Sequence, residues 1–453
     1  MSAVEGQVFK FGEFTLSPKE RLLLYGQQPV PLTPKAFDLL VVLVRRSGHL
    51  VTKDDLLREV WPGTFVEEVN LTVHISGLRK ALDREGKGSA IETVPTRGYR
   101  FVAPVSMGTA EVTLRRPGVL SSQPGKRDLG EQPTENADAY RAYLQGRHEW
   151  NQRSKESLWR GIEHFQRAVK MDTDFAAAYS GLADCYAALG HLSHTSPSES
   201  FPTARQHANK AIELDATLPE PHASLGFVKF YFEWDWPGAE VEFQRAIAVD
   251  PNYAATHQWY SIYLLAAGRP SEAFREIQLA RQREPLSLAI NSDLGFHYYY
   301  TGQYDEALKQ LRFVLAMNRD FPPAHLWLGR THQEVGRFED ALSEFRQVEA
   351  SLPGWPVSMA ARGFVAGVAG RHDDAKQIIV ELDQLASRTY VTPYGVALVH
   401  AGLDRHDSAF AWLNKAFDER SHWLVWLRLD PRWNRLRPDP RFAELIRRIR
   451  FPG

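Results

Sequence analysis

Ala239, Ala273, Ala307, Ala341, Ala375 and Ala409 follow one another at a constant step of 34 residues. Gly268, Gly302, Gly336 and Gly370 keep the same step, and an apolar residue stands four places after each alanine: Phe243, Ile277, Leu311, Phe345, Ile379 and Leu413. Pro251, Pro285 and Pro353 fall on this lattice too, with Arg319 in the place of a fourth. A step of this length, holding two amphipathic segments, leaves the chain little choice. Each unit is a helix–turn–helix that cannot bury its apolar face alone, so successive units must stack. The alanine lets the two helices of a unit close together, the glycine turns the chain between them, and the proline marks the end of the second. Two looser units precede these six, around Tyr140–Asp172 and Phe175–Asp215, the second lengthened by Leu192–Pro197.

The first hundred residues follow a different pattern. Val8–Phe11 and Glu13–Leu16 flank Gly12, and Arg21–Tyr25 and Pro29–Leu32 flank Gly26, which predicts a small antiparallel sheet of short strands. Thr33-Pro34 opens a predicted helix that runs to about Arg46, with Phe37, Leu40, Val41 and Val44 as its apolar stripe and Gly48 beyond its end. Thr52 caps a second over Lys53–Trp61, which Pro62-Gly63 stops. A third starts near Glu68. Its Leu71, Ile75, Leu78 and Leu82 share one face and must pack inward. The opposite face carries Val73, Ser76, Gly77 and Lys80, with Thr72 and Arg79 beside it and Asn70 and His74 on the flank. Small side chains with two cations suit close approach to a major groove. Ile91–Val102 divides around Pro95–Gly98 into a hairpin whose tip, Thr96 and Arg97, suits a minor groove or the phosphate backbone. Residues 1–106 hold 14 Lys+Arg against 12 Asp+Glu, so net charge alone is a weak pointer and the order of elements carries the argument.

That order, together with Val73–Leu82 and Arg97-Gly98-Tyr99-Arg100-Phe101, resembles the OmpR/PhoB-type winged-helix effector domain over roughly residues 6–104. The nearest subgroup in appearance is that of the ToxR- and CadC-like regulators, which carry this domain at the N-terminus. The resemblance implies that the third helix reads double-stranded DNA through Thr72, Ser76, Arg79 and Lys80. It implies that Asn70 and His74 lie near phosphates, and that Thr93, Arg97 and Tyr99 stand on the wing side. Pro62–Glu67 would correspond to the loop that meets RNA polymerase, and tandem sites would bring two copies together as a homodimer. Ser76, Gly77 and Pro95 replace arginines that many relatives carry, which leaves fewer bidentate base contacts. The 34-residue lattice resembles tetratricopeptide repeats, which implies a right-handed solenoid whose concave groove takes a protein partner.

The expected architecture is therefore multidomain: an α+β winged helix-turn-helix over 1–106, a Gly- and Pro-bearing flexible linker over 107–135, an all-α solenoid over 136–420, and a C-terminal segment over 421–453. In the linker, Arg115-Arg116 and Lys126-Arg127 serve either a solvated tether or backbone contact with DNA. The last segment holds Trp423, Trp426 and Trp433, then Phe442, Leu445, Ile446 and Ile449 at helical spacing, and nine Lys+Arg between Arg420 and Arg450 against Asp430, Asp439 and Glu444. It is expected to cap the last repeat, with a basic docking surface of net +6 as the alternative.

Formal charge over the whole chain is −1, so nucleic-acid binding has to be local. The single cysteine, Cys185, sits in an apolar run and reads as a buried structural thiol. Met1–Gly6 lacks the pattern of an export signal and no apolar run reaches bilayer length, so a cytoplasmic protein without membrane partners is expected. There is no phosphate-cradling Gly-Lys-Ser/Thr loop, no His-Glu-x-x-His and no cysteine pair for zinc. No catalytic residue, cofactor or metal is expected, and no enzyme. The expected function is a DNA-binding transcriptional regulator whose repeats bind a partner or signal. The alternative is an interaction scaffold with a vestigial winged helix.

Overall fold

The computed structural model describes residues 7–109 and 134–452, apart from 19–21, 27, 31, 33, 61–67, 84–89, 95–96 and 153. The chain divides into two compact units, residues 1–123 and 124–453, each with its own core.

The first unit begins with β1 (Gln7–Phe11), β2 (Phe14–Ser17), β3 (Leu22–Tyr25) and the two-residue β4 (Gln28–Pro29). Then come α1 (Pro34–Arg45), β5 (Leu50–Thr52), α2 (Lys53–Val60), α3 (Glu68–Leu82), β6 (Ile91–Val94), β7 (Gly98–Phe101) and β8 (Ser106–Thr109). Every neighbouring pair in the sheet β4-β3-β2-β1-β8 is antiparallel, and so is every pair in β5-β7-β6. β5 and β8 are additions to the strands read from the sequence. β8 returns to pair with β1, Phe9 opposite Met107, and so carries the sheet past residue 106. The three helices cover one side. Leu39, Leu40, Leu43, Leu56, Leu71 and Leu78 are fully buried with Phe101 between them. Thr52 both ends β5 and caps α2, its Oγ1 accepting from the Asp55 amide at 3.1 Å. The expected cap at Thr33 lies outside the described residues.

Among the described residues the second unit is a row of eight antiparallel helix pairs. They are α4 (Ala137–Gln152) with α5 (Lys155–Met171), α6 (Ala176–His191) with α7 (Pro197–Leu214), and α8 (Pro219–Val228) with α9 (Trp236–Val249). α10 (Ala254–Ala266) pairs with α11 (Pro270–Arg283), α12 (Leu288–Tyr300) with α13 (Tyr304–Met317), and α14 (Pro322–Glu334) with α15 (Phe338–Ser351). α16 (Pro356–Val368) with α17 (His372–Ala386) and α18 (Pro393–Gly402) with α19 (His406–Asp418) complete the row. The short α20 (Pro440–Ile449) follows.

All six lattice alanines are completely buried. The four lattice glycines adopt φ between +73° and +83°, a left-handed conformation that costs glycine nothing. Each closes its helix in the same way: the Gly268 amide donates to Leu265 O and the next amide, Arg269, to Leu264 O. Asp404 and Trp234, one step outside the glycines, hold the same backbone turn at φ +58° and +56° without a glycine. In α17 the core position slips from Ile379 to Ile378, which is buried while Ile379 is half-buried. Both lie on one face of the helix, three and four residues after Ala375, so the stack accepts either. Cys185 is buried, as its apolar run implies, with its Sγ 3.2 Å from where a Cβ on Gly161 would stand.

Complete burial of Ala341 makes a quantitative prediction. Ala341→Leu is expected to overpack the contact between α14 and α15 and lower stability by about 1–3 kcal/mol in urea unfolding. An unchanged midpoint would contradict the phase of the lattice.

Candidate functional site

In the first unit α3 is held from below by Leu71, Ile75 and Leu78, each at most 1% exposed. Its other face presents exposed Thr72 and Ser76 and half-buried His74 and Gly77. The side chains of Asn70, Val73 and Lys80 lie outside the described residues, as do Pro95, Thr96 and the 62–67 loop. Arg97 is exposed at the turn of the β6–β7 hairpin. Among the described residues only its backbone is tied: its amide donates to Val94 O and its carbonyl accepts from Lys53 N, both at 3.1 Å. Thr93 is exposed on β6. The structure thus brings Thr72, Ser76, Thr93 and Arg97 to one exposed helix–hairpin surface.

Arg79, expected to face the groove, is engaged elsewhere, and Tyr99, expected on the wing side, stands on the hairpin with its ring buried. Arg79 is half-buried and turned toward the hairpin. Its Nε and Nη2 both donate to Ile91 O, at 3.0 and 2.9 Å, and Nη2 also donates to Thr93 Oγ1 at 2.7 Å. This guanidinium fastens α3 to the β6–β7 hairpin. Tyr99 is only 4% exposed, its hydroxyl 3.4 Å from Thr72 Oγ1. The ring is core, because side chains alternate along β7 and Tyr99 shares its face with fully buried Phe101. That alternation was available in the sequence. The Arg79 clasp was not, since it depends on where β6 passes. Gly98 is explained by packing as well: a Cβ there would stand 2.1 Å from Val51 O on β5.

Because the clasp is partly buried and charge-assisted, Arg79→Ala is expected to cost about 1.5–3 kcal/mol in the first unit. Thermal unfolding of that unit is the measurement. No loss of stability would restore Arg79 to a purely groove-facing role.

In the second unit the first helices of successive pairs pack on one another, α10 on α12 and α12 on α14, so they lie on the inner side of the curve. That inner side is occupied by the chain itself. After α19 a 3-10 turn at His422–Trp426 and another at Pro431–Trp433 run along it. Trp426, 1% exposed, stacks on Tyr300 at 4.7 Å and meets Phe296 edge-on at 4.8 Å. His422 lies against His191 at 5.3 Å and Tyr231 at 6.0 Å, and burial followed by the neighbouring His191 pushes its pKa well down. Trp423 and Trp327 sandwich the Arg330 guanidinium at 4.9 and 4.5 Å. Asp430 accepts from Arg432 Nε at 2.9 Å and Nη2 at 2.6 Å and from the Tyr394 hydroxyl at 2.8 Å, and that hydroxyl accepts from Trp433 Nε1 at 2.7 Å. The row also curls far enough for Trp355 Nε1 to donate to Leu192 O, in the loop that lengthens the second pair, at 2.8 Å.

The tail therefore does more than seal the end of the row. α20 does pack on α19, with Arg448 over the Phe417 ring at 3.8 Å and Arg441 over Phe410 at 4.2 Å. The stretch before it fills the groove that the sequence reading left open for a partner. Several cations of the alternative reading, a basic docking surface, are engaged. Arg432 is paired with Asp430, Arg441 with Asp439 and Asp407, and Arg447 with Glu444, while Arg428 donates to Pro452 O and Ala266 O.

Residues 27–101 match the family described as "Transcriptional regulatory protein, C terminal", and residues 298–357 match "Tetratricopeptide repeat". Over 422 residues the chain is 23% identical to the transcriptional regulator HilA of Salmonella typhimurium, covering 68% of this chain and 76% of that one. Over 100 residues it is 34% identical to the transcriptional activator CadC of Escherichia coli, covering 22% of this chain and 20% of that one. Among solved structures it is similar to the DNA-binding domain of E. coli CadC, at 34% identity, covering 22% of this chain and 94% of that one, with a TM-score of 0.21. Among the described residues no helix is long and apolar enough to cross a membrane.

Proposed function

We propose that this chain, an OmpR/PhoB-type winged helix joined to tetratricopeptide repeats, is a transcriptional regulator that reads promoter DNA with α3 and the β6–β7 hairpin while its repeats meet a protein partner. One observation carries this most directly. The exposed side of α3 shows the small polar Thr72 and Ser76, opposite a fully buried leucine–isoleucine stripe, beside a hairpin whose turn projects Arg97. That surface admits a helix to a major groove and sets a cation against the adjoining backbone. Base discrimination falls to Thr72, Ser76 and Lys80, since Arg79 is engaged with the hairpin. The 62–67 loop is the candidate contact for RNA polymerase, and two copies on tandem sites would gain avidity. The reading includes a cytoplasmic location and no catalytic activity.

A gel shift with the full chain on duplex DNA, across salt concentration, tests it. Arg97→Ala is expected to weaken binding and to flatten the slope of log affinity against log salt by about 0.9, one phosphate contact, without lowering the unfolding midpoint. A variant that binds like wild type at every salt concentration would remove the wing from the interface. Absence of any duplex binding at low salt would favour the second reading, an interaction scaffold with a vestigial winged helix. The engagement of Arg79 away from the groove is the observation behind that reading.

A further inference from the structure

His422 opens the first 3-10 turn of the tail and is 1% exposed. Its ring lies among aromatic groups from three places: His191 at the end of α6 at 5.3 Å, Tyr231 after α8 at 6.0 Å, and its own neighbour Trp423 at 5.1 Å. His191 in turn meets Tyr231 at 4.8 Å and Phe227 at 5.1 Å. Among the described residues neither ring nitrogen of His422 has a hydrogen-bond partner. One imidazole thus comes from the repeats and one from the tail, and they meet at the start of the stretch that fills the inner side.

This setting tolerates a neutral ring and opposes a charged one. Burial and then His191 act on His422, both against the proton, and no carboxylate is among the groups that act on it. Of the charged groups on the elements packed there, Asp293 of α12 acts on Tyr231, while Arg330 of α14 rests on the Trp423 ring and is a cation. The faces of Tyr231 and Trp423 would offset only part of the cost of a charge. Other buried histidines belong to the repeats alone. Burial holds His297 down to about 4, whereas His257 and His325 are raised, against burial, by Glu276 and Glu344.

We propose that the contact between His191 and His422 is a proton-operated latch: mild acid unseats the tail stretch from the inner side of the repeats and opens that side to a partner. The sign follows from linkage. An imidazole held neutral when seated, and free to take a proton when unseated, favours the seat above the ordinary histidine value and weakens it as pH falls below. That the opened groove receives a partner rests on the function proposed above. Unseating itself does not, and it is measured without a partner.

The test follows backbone amide exchange in the full chain, corrected for the intrinsic rate, from about pH 7.5 to about pH 5.5. The amides of Leu424, Leu427, Leu429 and Asp430 close the turns of the tail. An exposed imidazole, titrating at about 6.5, goes from about nine-tenths to about one-tenth neutral over this range, so the unseated form gains about tenfold. These four amides are expected to exchange about tenfold faster at the lower pH, ahead of those of α14. His422→Phe, which takes no proton, is expected to abolish the gain, and an unaltered gain in that variant overturns the proposal. Should the variant not fold, the pH profile of the unaltered chain decides. A gain that sets in at about pH 6.5 supports the latch. One that begins only below about pH 5 belongs to carboxylates and overturns it, as does a gain shared equally by α14, which is unfolding of the whole unit.

Discussion

Trp426→Ala is expected to lower the stability of the repeat unit by about 3–5 kcal/mol, the range for emptying a fully packed aromatic site. The indole is 1% exposed and is surrounded by Tyr300 stacked at 4.7 Å, Phe296 edge-on at 4.8 Å and Phe230 at 6.3 Å. These rings come from α12 and from the segment after α8, distant from each other and from Trp426 along the chain, so the loss would be felt across several repeats. Because packed interiors relax only in part, the void would remain open. Urea unfolding of the full chain, followed by tryptophan fluorescence, measures it. The transition of the first unit should not move, since its core is separate. A loss below about 1 kcal/mol, the median for ordinary substitutions, would mean that the tail does not occupy the groove in solution.

Asp430→Ala is expected to be as damaging by a different mechanism. The Asp430–Arg432 pair has no side-chain exposure on either partner. Taking one member away leaves an uncompensated buried charge, at a cost of about 3–5 kcal/mol. Here two guanidiniums would be stranded, since Arg330 also acts on the same carboxylate. Burial alone would push the pKa of Asp430 up, but Arg432 and then Arg330 outweigh it and hold it below its ordinary value. A depressed folded pKa means that the stabilisation is present above the unfolded value of about 3.9 and is lost as pH falls through the folded one. The gap between wild type and Asp430→Ala should thus be full at pH 7 and should narrow on acidification below about pH 4. A gap that is small at pH 7, or that does not depend on acid, would overturn the assignment of Asp430 as the anchor of the tail.

Together these two expectations place much of the stability of the repeat unit in the stretch that holds Trp426 and Asp430. In most helical-repeat proteins the inner surface is what a partner meets. Here a partner must displace Trp423, Trp426 and the Asp430–Arg432 pair, or else use another face. The hydrogen bond from Trp355 to Leu192 in the second pair adds to what has to move.

The winged-helix unit was legible to the extent that its contacts are periodic. The Leu71, Ile75, Leu78 stripe of α3 points inward as its spacing requires, and α2 starts directly after its cap Thr52. What escaped was short or long-range. β5 has three residues and no pattern of its own; it forms because Val51 and Tyr99 meet across the β5–β7 pairing. β8 exists because β1 has a free edge to offer it. Tyr99 lies on the β6–β7 hairpin, and strand alternation turns its ring into the core.

In the repeats the sequence by itself determined the unit: its length, the buried alanines, the left-handed turns and the order of the pairs. Each of these records contact between near neighbours in the chain, and a contact repeated at fixed spacing leaves a period that can be read. The tertiary structure alone decided what fills the groove. Curvature is the sum of small rotations over eight pairs, and no residue encodes that sum. Where Trp423, Trp426 and Trp433 find their partners depends on it, as does the approach of Arg432 to Arg330 across about a hundred residues of chain.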